Sequence, residues 1–238
     1  MSEVDRSVVG QVALRAACFR KRRESTVAIS IVRAAWVPDD DPERDSELAA
    51  DLAVSWIRRE CAEQRTSGVL VLNAFGVEQQ VPSLRSFAAE HTVTTPRASR
   101  DRVGRGTGPV LAYLPDEKTL DFATHLARGS SLAVVESTQD FALRGWASAL
   151  GAIDLTKPDE RPEEASPGFA KAIDRLDLYK NNGFGDPFGK QQALHILQDL
   201  VRSEGLDPEA VLGALAARGA SSRALRNLAK LIDGLGQR

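Results

Sequence analysis

The chain has 238 residues, 42% hydrophobic and 27% charged, with a net charge of −2. That is enough apolar material to bury a core without disulfides or metal, and it excludes a protein that is polyelectrolyte throughout. No apolar run nears the roughly 20 residues of a membrane helix, and the two cysteines, Cys18 and Cys61, form no CxxC pair. The acidic start MSEVDRSVVG does not read as a signal peptide, so a cytoplasmic protein with no membrane partner is expected.

The first 25 residues suit either helix or strand and end in the basic run RKRR. TVAISIV, β-branched and unbroken, predicts a buried strand, and PDDDPERDS predicts an acidic turn. A helix follows, capped by Asp45 or Ser46, with Leu48, Leu52 and Trp56 on its inner face. GVLVLNAF reads as a second buried strand. Pro82 opens a helix that turns Val81, Leu84, Phe87 and Ala88 inward, and TVTTP is a short strand. PVLAYL is a strand and PDEKTLDFATHLARG a helix stopped at Gly129. SLAVVES is a strand, DFALRGWASALG a helix and AIDL a short last strand.

Strands alternating with helices imply βαβ units and a mainly parallel sheet covered on both faces. The expected fold class is therefore α/β, with a Rossmann-like domain over residues 1–156. TKPDERPEEASPG, rich in proline and glutamate, predicts a linker over 157–167. Beyond it, GFAKAIDRLDLY, DPFGKQQALHILQDLVRSEG, DPEAVLGALAARG and SSRALRNLAKLIDGLG predict a helical module over 168–238.

Gly104, Gly106 and Gly108 lie beside basic side chains, yet they precede a strand. A phosphate-binding glycine loop follows a strand and opens a helix, so this one reads as a connection entering the sheet at its amino edge. Its arginines, Arg97, Arg100, Arg102 and Arg105, form one candidate nucleic-acid contact. Arg223, Arg226 and Lys230, at i, i+3 and i+7 of the last helix, form another.

Ligands of parallel sheets bind at the carboxyl ends of strands. This singles out the Asp39–Asp41 run and, as candidate ligand-binding residues, Asn73, Asp116, Glu136, Ser137 and Thr138. Asp116 and Glu136 could hold Mg²⁺ through hard oxygen ligands, which would suit a phosphoesterase or nuclease. The competing reading makes Asp39–Asp41 and Asp116 helix caps and first-turn acids. No GxSxG or HExxH occurs, and His91, His125 and His195 lack ligand spacing. The leading expectation is a binding or regulatory protein acting on a macromolecular partner or small ligand, rather than a recognisable enzyme.

Tyr179, Phe184 and Phe188 in LYKNNGFGDPFGK are expected either to pack between two helices or to form an exposed aromatic patch.

Overall fold

The computed structural model describes residues 31–98, 108–137, 143–160 and 165–236. Among these residues six strands form one wholly parallel sheet: β1 (Arg33–Val37), β2 (Val69–Val71), β3 (Thr92–Thr94), β4 (Val110–Tyr113), β5 (Ser131–Val135) and β6 (Ile153–Asp154). The spatial order is β3-β2-β4-β5-β1-β6. The helices are α1 (Ser46–Gln64), α2 (Pro82–Glu90), α3 (Glu117–Leu126), α4 (Arg144–Leu150), α5 (Pro167–Asp177), α6 (Pro187–Ser203), α7 (Pro208–Ala217) and α8 (Ser222–Gly236). The fold is α/β and Rossmann-like, with helices following the sheet.

The first described strand is RAAWV, Arg33–Val37, rather than the β-branched run before it. Residues 26–30 of that run lie outside the described residues, and Val32 is 61% exposed. Ala34, Ala35 and Val37 are buried instead, because this strand lies inside the sheet between β5 and β6, with layers on both sides.

Side-chain alternation divides the sheet between two apolar cores. Ala35, Val37, Leu70, Leu111, Ala133 and Val135 meet α1 and α2 on one face. Ala34, Val69, Val110, Ala112, Leu132 and Val134 meet α3 and α4 on the other, and the same cluster continues through α5, α6, α7 and α8. The helices predicted as a tail thus share an apolar core with this sheet face. Residues 161–164 of the predicted linker lie outside the described residues.

Connections running towards β3 use the α1/α2 face, and those running towards β6 through a helix use the α3/α4 face. This is the pattern produced when all crossovers share one hand. Helix starts follow the cap chemistry: Asp45, Asp116, Asp186 and Asp207 each accept a first-turn N–H. On α1 the buried stripe is Ala50, Ala53, Val54, Trp56, Ile57 and Cys61, whereas Leu48 is 53% exposed. Small residues let this helix lie close to the sheet, which turns Leu48 towards solvent.

The tail packs through glycine. An added Cβ on Gly213 of α7 would lie 2.4 Å from the Trp146 backbone nitrogen, and one on Gly145 of α4 would lie 2.6 Å from Ala210 Cα. Backbone therefore meets backbone at this crossing. Phe184 is buried, held in a left-handed turn with φ +51° after Gly183, while Phe188 stays exposed and meets Tyr179 edge-on at 6.1 Å. One aromatic of that stretch packs and the other does not. Among the described residues no helix is long and apolar enough to cross a membrane.

Candidate functional site

Strand order decides where the carboxyl edge can open. A crevice forms where neighbouring strands send their connections to opposite faces. Two neighbouring pairs do so here, β2 with β4 and β5 with β1.

The β2/β4 crevice is bridged by a side chain. Asn73 Nδ2 donates to the Leu114 carbonyl at 2.8 Å, and Asn73 Oδ1 accepts the Asp116 N–H at 3.2 Å. Asp116 in turn caps α3, its Oδ1 accepting the Thr119 N–H at 2.7 Å. Both residues therefore tie the ends of β2 and β4 together.

The β5/β1 crevice is an open cleft of about 260 Å³. Pro38, Asp39 and Asp41 line it from the β1 side, with Arg44, Asp45, Ser46 and Ala49 from the start of α1. Tyr113 and Leu114 end β4 here, and Val135, Glu136 and Ser137 end β5. Of the residues expected at strand ends, Glu136 and Ser137 come together in this cleft. Asn73 and Asp116 lie at the neighbouring crevice and do not line it, and Thr138 falls outside the described residues.

Glu136 is 7% exposed. Its Oε2 accepts the Asp39 N–H at 3.0 Å, its Oε1 accepts the Leu143 N–H, and its own N–H donates to the Val37 carbonyl at 3.0 Å. The side chain therefore joins the β1 loop to the start of α4. Burial raises its pKa above the ordinary carboxylate value; the two N–H groups oppose that shift, and the charges of Asp39 and Glu209 add to it. Tyr113, 3% exposed, also has its pKa raised by burial, against a hydrogen bond from Ser46, so its phenol is neutral at physiological pH.

Arg44 is the cleft's guanidinium. It donates to the Pro38 carbonyl, lies 3.0 Å from Asp40 and 3.9 Å from Asp41, and is thereby folded back onto the acidic turn. The acidic run is thus a folded loop organised around one arginine.

Leu114, the residue after β4, has φ +46° and lines the cleft. A bulky side chain in the left-handed region costs on the order of 1–2 kcal/mol and marks a segment held by its surroundings. Here its N–H is fixed by the Val135 carbonyl at 2.9 Å and its carbonyl by Asn73.

Tyr113, Arg44 and Leu114 were not singled out from sequence, and Ser46 only as an alternative helix cap, a place that Asp45 takes. Tyr113 could have been, as the last residue of an unbroken apolar strand that ends in a polar atom. Arg44, the lone base of an acidic turn, carried a similar signal. Nothing in the sequence marks the backbone sign of Leu114.

Among the described residues no group of three or more His, Cys, Asp or Glu side chains is arranged to hold a metal. Arg223, Arg226 and Lys230 share the exposed face of α8, with Arg226 3.5 Å from Glu117. Arg97 is exposed just beyond β3, while Arg100, Arg102 and Arg105 lie outside the described residues. Gly108 enters β4 with φ +140°, and an added Cβ would lie 2.3 Å from the Ser67 carbonyl oxygen. That glycine serves a close backbone crossing at the amino edge.

Compared with known protein families, characterised proteins and solved structures, the chain matches none.

Proposed function

We propose that this chain is a cytoplasmic binding protein whose site is the β1/β5 cleft, and that its ligand is a small polar molecule presenting an ammonium group or hydroxyls. The observation that carries this reading is the cleft's place and lining. It opens at the carboxyl edge between strands whose connections part, where parallel sheets bind ligands. Its volume of about 260 Å³ suits a small metabolite better than a polymer. Four carboxyl-bearing residues, Asp39, Asp41, Asp45 and Glu136, face one arginine, and that arginine is already engaged with Asp40, Asp41 and the Pro38 carbonyl. An anionic ligand would meet net repulsion there, whereas an amine or polyol would meet acceptors, beside the Tyr113 and Ser46 hydroxyls.

The test is a thermal-unfolding screen of the protein with amines, polyols, nucleosides, Mg²⁺ and short DNA and RNA. A ligand at about a hundred times its Kd adds about 2.7 kcal/mol and raises the Tm by several degrees. The expected hit is an amine or polyol whose shift disappears in Ala49→Met, a substitution that fills the cleft from the half-buried face of α1. A panel without any shift, or a shift that Ala49→Met leaves unchanged, refutes the assignment. Mg²⁺ tests the phosphoesterase alternative. That reading gains no support from Asp116 and Glu136, because Asp116 lies at the neighbouring crevice and does not line the cleft that holds Glu136. Nucleic acid tests the basic face of α8, where binding would weaken steeply with salt.

A further inference from the structure

Among the described residues β3 is the outermost strand and pairs with β2 alone. Its amino end is held at Gly68, the residue before β2. The Thr92 N–H donates to the Gly68 carbonyl at 3.3 Å, and the Gly68 N–H donates to His91 Nδ1 at 3.2 Å. One corner, His91–Thr92, thus holds both polar groups of one peptide residue. The His91 ring lies against Phe87, centroids 4.1 Å apart. No larger residue fits at Gly68, since a Cβ would lie 2.8 Å from Phe87 Cζ and 3.0 Å from Cys61 Sγ.

Only an imidazole with a free lone pair on Nδ1 can accept the Gly68 N–H. The imidazolium carries a proton on both nitrogens and turns that contact into donor against donor. The charged groups acting on the ring are Arg58 of α1 and Glu90 of α2, paired with each other at 3.2 Å. Beyond Gly68 lies the Cys61 thiol, neutral because burial, with help from Glu60, raises its pKa to about 11. Burial lowers the His91 pKa below the ordinary histidine value; Arg58 acts in the same direction and Glu90 against it.

We propose that His91 is a protonation-sensitive latch on the β3 edge of the sheet: its neutral ring fastens the α2–β3 corner to Gly68, and its protonation releases that corner. The unfolded chain takes up the proton at the ordinary histidine value, before the folded ring does. The latch's contribution is therefore complete above about pH 6.5 and lost as pH falls from there through the folded value.

The test is amide hydrogen exchange, corrected for intrinsic chemistry, at about pH 7.5 and about pH 5.5. In the wild type, Gly68 and Thr92 are expected to exchange about five- to tenfold faster, relative to the intrinsic rate, at the lower pH. His91→Asn, whose Oδ1 replaces Nδ1 as an acceptor that does not titrate, should remove the difference. His91→Ala should exchange fast at both values. No acceleration in the wild type, or the same acceleration in His91→Asn, overturns the proposal. Should His91→Asn fail to fold, an NMR titration of the wild type decides: the Gly68 amide and the His91 ring must share one midpoint below about 6.5. Separate midpoints refute the latch. No ligand enters these measurements, so they leave the cleft assignment untouched whichever way they fall.

Discussion

Two glycine-to-alanine substitutions in the C-terminal helices should move stability in opposite directions. In both, alanine gains about 1 kcal/mol over glycine through helix propensity and reduced freedom of the unfolded chain. At Gly234 of α8 an added Cβ meets nothing within 4 Å, so the gain is kept and Gly234→Ala should stabilise by about 0.5–1 kcal/mol. At Gly213 the Cβ would lie 2.4 Å from Trp146 N and 2.7 Å from Gly145 C, both backbone atoms that cannot rotate away. The α4/α7 crossing must open by about an ångström, which forfeits a quarter to a half of each contact there. Trp146, fully buried, is the largest side chain affected. Overpacking of this kind costs about 1–3 kcal/mol, and the lost contacts add a similar amount. After the propensity gain, Gly213→Ala should be about 3 kcal/mol less stable than the wild type, with a Tm lower by about 6–12 °C. Urea unfolding followed by tryptophan fluorescence measures both variants, and an unchanged m-value would place the effect in the folded state. Gly145→Ala should behave like Gly213→Ala, and the double variant should cost less than the sum, since one separation relieves both clashes. A Gly213→Ala protein as stable as the wild type would refute the close crossing, and with it the contact that joins the tail to the α4 layer.

Asp116→Ala removes the α3 cap and should cost about 1 kcal/mol in the same assay, without abolishing ligand binding in the cleft. Glu136→Ala takes the acceptor from the buried Leu143 N–H and removes the bond to the part-buried Asp39 N–H, and should cost about 1–3 kcal/mol; a loss below about 1 kcal/mol would show that this carboxylate does not join the two loops. His125 lies 3.2 Å from Asp121, and that hydrogen bond raises its pKa above the ordinary histidine value against the pull of burial. Its contribution is therefore full below about pH 6.5 and disappears as pH rises through the folded value. His125→Asn should thus destabilise the protein at about pH 5.5 and leave it unchanged at about pH 8.5, which urea unfolding at the two values checks; an equal loss at both would refute the ion pair.

Most elements were legible because local chemistry and tertiary demand agree. Asp186–Pro187 and Asp207–Pro208 each supply a cap and a first helical residue, and each does start a helix. VLAY and SLAVV are unbroken apolar runs because each is covered on both faces. Where two readings competed locally, tertiary packing decided. RAAWV, with one β-branched residue, was not singled out, yet it is the strand between β5 and β6, where alanine suits two closely packed layers; residues 26–30 of TVAISIV lie outside the described residues. Leu48 outranks Ala50 by size, yet Ala50 faces the sheet.

The site was legible only in outline, for a topological reason. The strand-end rule names every residue after every strand, but strand order selects which ends open. β1 lies beside β5, although nearly a hundred residues separate them, so Asp39 meets Glu136 across an edge that no local pattern encodes. The same order places Asn73 and Asp116 at a crevice that Asn73 itself bridges. The acids of this edge therefore divide by the job the backbone has given them. At β2/β4 Asp116 caps α3 beside the bridging Asn73 and lines no opening. The acids at β1/β5 surround a volume that no side chain fills, and the charge they leave there is negative. A ligand that neutralises this charge would meet less repulsion than any anion and would relieve the mutual repulsion of Asp39 and Glu136, so its affinity should fall as added salt screens the cleft.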